Sequence, residues 1–161
     1  MRTARLSILF AAIALVAALA ACAPFKSGPG APPIPFGGAQ PQAQELYYMV
    51  NNDRGFWGLP PVGWNDQLGG LAQGWSESMA GSGSMSHQNL NAILNSPGYE
   101  QFSGLGENVI AGGCGISAAQ MHQAWMASDL HRANILGNFN AIGIGVACNG
   151  SNVYATEDFG R

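Results

Sequence analysis

The chain has 161 residues, 47% hydrophobic and only 9% charged, with six Lys and Arg against nine Asp and Glu. That length accommodates one ordinary domain. A weakly acidic chain without a Lys/Arg cluster lacks the footprint of a nucleic-acid binder, and it also lacks a polybasic membrane patch.

The chain opens with Arg2 and Arg5, an apolar stretch Leu6–Leu19, and Leu19-Ala20-Ala21-Cys22. This pattern predicts a secretory signal peptide over residues 1–21, too short to span a bilayer. The Leu-Ala-Ala-Cys ending looks like a bacterial lipobox. It makes Cys22 the expected lipidated first residue, the alternative being an ordinary signal peptide with an incidental cysteine. The leader holds two of the six basic residues and no acidic one, which leaves four against nine, a balance of −5. Acyl chains, at about 0.8 kcal/mol per buried methylene, would hold the protein to a leaflet without a spanning helix. The membrane is therefore one expected partner, reached through the lipid, and nucleic acid is not expected.

Residues 22–43 comprise this cysteine and a Pro/Gly-rich stretch without apolar period, read as a tether of roughly 25 Å mean span. The domain is expected over 44–161. Gln44–Arg54 places Leu46, Met49 and Val50 at helical spacing, and Gly55 and Gly58 end that helix. Leu59-Pro60-Pro61 must be extended. Asn65 can cap a second helix to about Ala80, striped by Leu68, Leu71, Ala72, Trp75 and Met79. The loop Gly81–Ser86 delivers His87.

Glu107–Ala111 is expected to be a strand. Ser117-Ala118-Ala119-Gln120 is a capping-box signature for a helix to Ala127, followed after Ser128 by a short turn that Gly137 stops. Ala141–Ala147 and Val153–Phe159, separated by Asn149-Gly150, read as an antiparallel hairpin. Helices around a small antiparallel sheet make the fold class α+β.

Cys114 and Cys148 are expected to form a disulfide, because an exported chain meets an oxidising compartment. Closing about 35 residues contributes on the order of 3–4 kcal/mol. Two free buried thiols are the alternative. His122 has no motif neighbour and is expected on the solvent side of its helix. Phe56 and Trp57, between two glycines, are candidates for an exposed apolar contact.

Five segments occur in a telling order: Val50–Leu68, the Ser-His-Gln-Asn-Leu around His87, the Gly-Glu-Asn-Val around Glu107, Trp125–Leu136 with His131, and Ile142–Gly160. From about Glu45 to Arg161 this arrangement resembles the bacterial branch of the CAP superfamily, which holds the cysteine-rich secretory proteins, antigen 5 and pathogenesis-related 1 proteins. The resemblance implies an α–β–α sandwich whose central cavity gathers His87, Glu107 and His131. The family's second glutamate lies three residues after a tryptophan, where this chain has Ser128 after Trp125. Arg54 and Asn51 match the family's N-x-x-R pattern, for which a structural ion pair or loop tethering is expected.

Two imidazoles and a carboxylate suit an open three-ligand site for Zn2+, or alternatively Mg2+. The bland reading is a polar cluster in which Glu107 is a buried acceptor for backbone N–H groups and His87, with Asn108 in the same network. Ser128 with a histidine and an acid would supply hydrolase parts, although it more simply caps the turn holding His131. Three functions follow. The favoured one is an exported envelope lipoprotein that binds a cation, a lipid or an envelope protein. The others are a metal-assisted hydrolase of an envelope polymer, peptide or lipid, and a structural lipoprotein.

Overall fold

The computed structural model describes residues 41–161. The expected leader, Cys22 and most of the tether lie outside the described residues. Helix α1 (Pro41–Phe56) begins three residues earlier than its apolar spacing suggests. Proline at the first helical position suits that start, since the missing N–H would have no partner there. The helix buries Ala43, Leu46, Tyr47, Val50, Asn51 and Arg54 along one stripe. Strand β1 (Gly63–Trp64) follows, then α2 (Asp66–Ser82). Asn65 caps α2 through Leu68 N–H, and Gly83, at φ +69°, ends it in the left-handed conformation.

A short helix α3 (Leu90–Leu94) precedes β2 (Leu105–Gly113). Then come α4 (Ala118–Ala127), α5 (Asp129–Ile135), β3 (Ala141–Cys148) and β4 (Asn152–Gly160). The capping box of Ser117 and Gln120 is formed at the start of α4.

The sheet runs β1-β3-β4-β2, antiparallel except for the short parallel pair of β1 with β3. Helix α2 covers one face, while α1, α4 and α5 pack on the other side. The α+β sandwich is therefore the fold expected from the sequence. Strand β4 lies between β3 and β2, and Val153 to Gly160 are all buried. Its alternation consequently separates two covered faces, not a wet one from a dry one. Tyr154, Thr156 and Asp158 turn towards α2. Val153, Ala155 and Phe159 join the main core with α1 and α4.

Gly143 and Gly145 bring α2 unusually close to β3. A Cβ on either would overlap the α2 backbone, at Leu68–Gly69 and at Ala72–Gln73 respectively. Ser76 Oγ bonds Gly145 O at 3.0 Å and Thr156 Oγ1 at 2.9 Å, which fixes the helix in that position.

Cys114 and Cys148 form a disulfide with Cα atoms 6.2 Å apart. Their strands, β2 and β3, are not neighbours, because β4 separates them. The bridge closes because Cys114 lies past Gly113–Asn152, the last β2–β4 pair, where its N–H bonds Ser151 O at 3.0 Å beside the β3–β4 turn.

Candidate functional site

The candidate site is built from the loop after α2, strand β2 and helix α5. Trp75 Nε1 donates to Ser86 O at 2.8 Å and holds that loop against α2. His87 then places its Nδ1 2.6 Å from Glu107 Oε1. The acid is buried, its side chain 1% exposed, while the imidazole is 61% exposed. Gln88 closes over the same carboxylate. Its backbone N–H donates to Oε1 at 3.1 Å, and its Nε2 donates to Oε2 at 2.8 Å and to Asp158 Oδ2 at 3.0 Å.

Both Glu107 oxygens thus accept from Gln88. With Nδ1 engaged by Glu107, Nε2 is the His87 nitrogen left to meet a further partner. Burial and the neighbouring Glu107 push Asp158 well above the usual carboxylate range, partly offset by Gln88. Sequence reasoning missed Gln88 and Asp158. The available signal was Thr156-Glu157-Asp158, three polar residues in a run that otherwise reads as core.

His131 is the third residue of α5 and half-buried. Its pKa is lowered first by burial and then by the charge of His87, which places the two imidazoles within electrostatic reach. Asn108 Nδ2 donates to His131 O at 3.2 Å and to Glu157 Oε2 at 3.0 Å. Asn134 Nδ2 donates to Glu107 O and to Asn108 Oδ1, both at 2.9 Å. Asn108 therefore serves a network on the opposite face of the sheet from the Glu107 side chain, and Asn134 links the two. Glu157 is fully buried and its pKa is pushed up to about 8 by burial, with Asn108 opposing. Its Oε1 has no hydrogen-bond partner.

The structure brings His87, Glu107 and His131 to one region but does not form the expected three-ligand set. Among the described residues no group of three His, Cys, Asp or Glu side chains is placed to hold a metal ion. The reason is that Glu107 is spent on His87 and Gln88. Ser128 stands at the N-cap position of α5, yet its side chain makes no capping bond, contrary to expectation. Asp129 points outward and pairs with Arg132. No serine hydroxyl among the described residues bonds His87 or His131.

Arg54 and Asn51 tether loops, as one of the two expected roles has it. Arg54 donates to the carbonyls of Pro60, Ile135, Gly137 and Phe139 at 2.8–3.1 Å, so it forms hydrogen bonds to backbone in place of an ion pair. Asn51 exchanges bonds with Val62 N and O.

His122 corrects the sequence reading. It is 8% exposed and faces α1, with Nε2 2.8 Å from Asp53 Oδ2. Taken alone, α4 would leave this side chain in solvent, but α1 packs along it. Beside this pair a cavity of about 680 Å³ opens between α1 and α4, lined by Met49, Asn52, Asp53, Gln123 and Met126 among others.

The model of the CAP family, the cysteine-rich secretory protein family, matches residues 47–159. The chain belongs to the CAP family. Its CAP domain is similar to an extracellular SCP-domain protein of Bacillus anthracis, at 25% identity and TM-score 0.60 over 74% of this chain and 40% of that one. It is also similar to an outer surface protein of Borrelia burgdorferi, at 16% identity and TM-score 0.64, over 74% and 92% of the respective chains. A cysteine-rich secretory protein of Staphylococcus aureus gives 23% identity and TM-score 0.60, over 78% and 40%. The chain thus spans about 40% of the length of the Bacillus and Staphylococcus proteins. No curated protein matches. The Bacillus protein is described as extracellular. No helix among the described residues is long and apolar enough to cross a membrane.

Proposed function

We propose that this CAP domain is an envelope-held binding protein that takes a divalent cation on His87 Nε2 and His131. The supporting observation is the 2.6 Å pairing of His87 Nδ1 with Glu107. A carboxylate on one imidazole nitrogen fixes the ring and makes the other nitrogen a better ligand, an arrangement that surrounds many metal-bound histidines. The lowered pKa of His131 favours the neutral imidazole that a cation requires. Two nitrogens suit Zn2+ better than Mg2+, which prefers oxygen. Such a site is open: water or an external carboxylate or phosphate would complete it. Glu107 orients and does not coordinate.

Isothermal titration of the unlipidated chain with Zn2+ at neutral pH tests this. His87→Ala or His131→Ala should abolish binding, and Glu107→Gln should weaken it by about 10- to 100-fold. Binding that survives both histidine changes defeats the reading and leaves the cluster structural.

A second reading concerns lipid, and the cavity of about 680 Å³ between α1 and α4 favours it. Its volume falls in the range that holds small ligands. Fatty-acid protection of the α1–α4 amides from hydrogen exchange is the expected result. The attachment is through an acylated Cys22, and labelled palmitate should be incorporated in the wild type and lost in Cys22→Ser.

A further inference from the structure

We propose that Phe56 and Trp57 form an aromatic wedge that seats in the interfacial layer of the bilayer holding the chain. This rests on the anchoring at Cys22 proposed above. Phe56 is 83% exposed and Trp57 59% exposed, their rings edge-to-face at 5.9 Å. They are not on a loose tip. Trp57 N–H bonds Asp53 O at 3.0 Å, Leu59 N–H bonds Arg54 O at 2.8 Å, and Gly58 takes φ +70° to complete the turn. Arg54, directly before Gly55, pins the same turn to four carbonyls. Two large rings are therefore held outward by a rigid turn, with no loop ordering left to lose on contact.

The surroundings favour a lipid interface over a polar partner. From Gly55 to Asn65 the sequence carries no charged residue, and Pro60 and Pro61 are exposed beside the pair. Tryptophan and phenylalanine place an apolar body at the headgroup boundary at little cost in side-chain entropy. The chain length fits as well. The 18 residues between Cys22 and Pro41 can reach at most about 60 Å. Helix α1, with 16 residues, spans about 24 Å from Pro41 to the aromatic pair. An anchor at one end of α1 thus leaves its other end within reach of the same leaflet. The wedge would fix the orientation of the domain on the leaflet, and with it the direction in which the exposed His87 faces.

The test supplies the anchor chemically, so it does not depend on what the cell adds to Cys22. With Cys114 and Cys148 bridged, Cys22 is the one remaining cysteine. The chain from Cys22 onward is coupled through that thiol to a maleimide lipid in phosphatidylethanolamine/phosphatidylglycerol vesicles whose acyl chains are brominated. Bromine should quench part of the tryptophan emission, and Trp57→Phe should remove that part without moving the melting temperature. Phe56→Ser with Trp57→Ser should also raise acrylamide accessibility at the membrane and cut vesicle binding of the uncoupled chain by roughly tenfold. Absence of bromine quenching overturns the proposal, as does quenching unchanged by Trp57→Phe. So does concentration-dependent dimerisation that the double substitution abolishes, which would assign the pair to a second copy. Palmitate labelling of the native chain tests the anchor separately.

Discussion

Glu157→Gln should change how the stability of this protein depends on pH. The acid is fully buried between β2 and β3, and one oxygen has no partner. Its pKa is pushed up from 4.5 to about 8. A raised carboxyl pKa means that the folded state prefers the proton. The stability this group allows is complete below pH 4.5 and is lost progressively as pH rises towards 8. At about 1.4 kcal/mol per pH unit, with rounding near both pKa values, the loss from pH 5 to pH 8 is about 3–4 kcal/mol. For a domain of about 120 residues that is roughly 12 to 16 degrees of melting temperature. Glutamine does not ionise, so it removes this slope while leaving Asp158 and the histidines as a shared background. At pH 5 the glutamine is expected to be the less stable protein, since its amide N–H groups would face the partnerless position at about 1–3 kcal/mol. The two melting curves should therefore cross between pH 5 and 8. Scanning calorimetry in half-unit steps measures this directly. Parallel curves, offset by a constant, would refute the reasoning.

Three further outcomes follow from the packing. Arg54→Ala leaves the carbonyls of Pro60, Ile135, Gly137 and Phe139 without their donor and should cost about 3–5 kcal/mol in urea unfolding, with Arg54→Lys intermediate because three N–H groups on a single nitrogen cannot reach four carbonyls that the guanidinium spans with three nitrogens. Gly145→Ala drives a methyl into the backbone of Ala72 and Gln73, and should cost at least about 3 kcal/mol or prevent folding, read as loss of soluble protein or of its melting transition. Replacing Cys114 and Cys148 by alanine together should lower stability by about 3–4 kcal/mol, and a reductant should then no longer shift the melting temperature of the double variant.

Local signals carried most of the architecture. The Asn65 cap and the Ser117–Gln120 box are written within a few residues each and both are formed, while of the α2 stripe Leu68, Ala72 and Met79 are buried and Leu71 and Trp75 half-buried. What stayed hidden depends on contacts between distant segments. His122 has no motif neighbour, and the partner that explains its burial, Asp53, lies 69 residues away. Glu157 and Asp158 read as polar interruptions of a hairpin strand because nothing local says that β4 will be central and covered twice. The alternate glycines of Ile142-Gly143-Ile144-Gly145 carry no meaning until α2 is placed against them, where they permit its close approach. The histidine pair itself was legible through family resemblance alone, since intervals of 20 and 24 residues impose no geometry.

The site and the stability of the fold are joined at one dipeptide. Glu107 and Asn108 are consecutive on β2, so the pleat must send their side chains to opposite faces of the sheet. One orients His87 on the α2 side, and the other bonds the His131 carbonyl and Glu157 beneath α5. A slip of one residue in the pairing with β4 would exchange the two and dismantle both sets of bonds. That register is held by nine consecutive pairs from Leu105–Gly160 to Gly113–Asn152, with the disulfide just beyond. Removing the disulfide should therefore matter for the site as well as for melting. If the bridge serves the register, Zn2+ affinity will fall in the Cys114→Ala, Cys148→Ala variant at temperatures where the domain is still fully folded. Unchanged affinity there would show that the β2–β4 ladder holds the site without it.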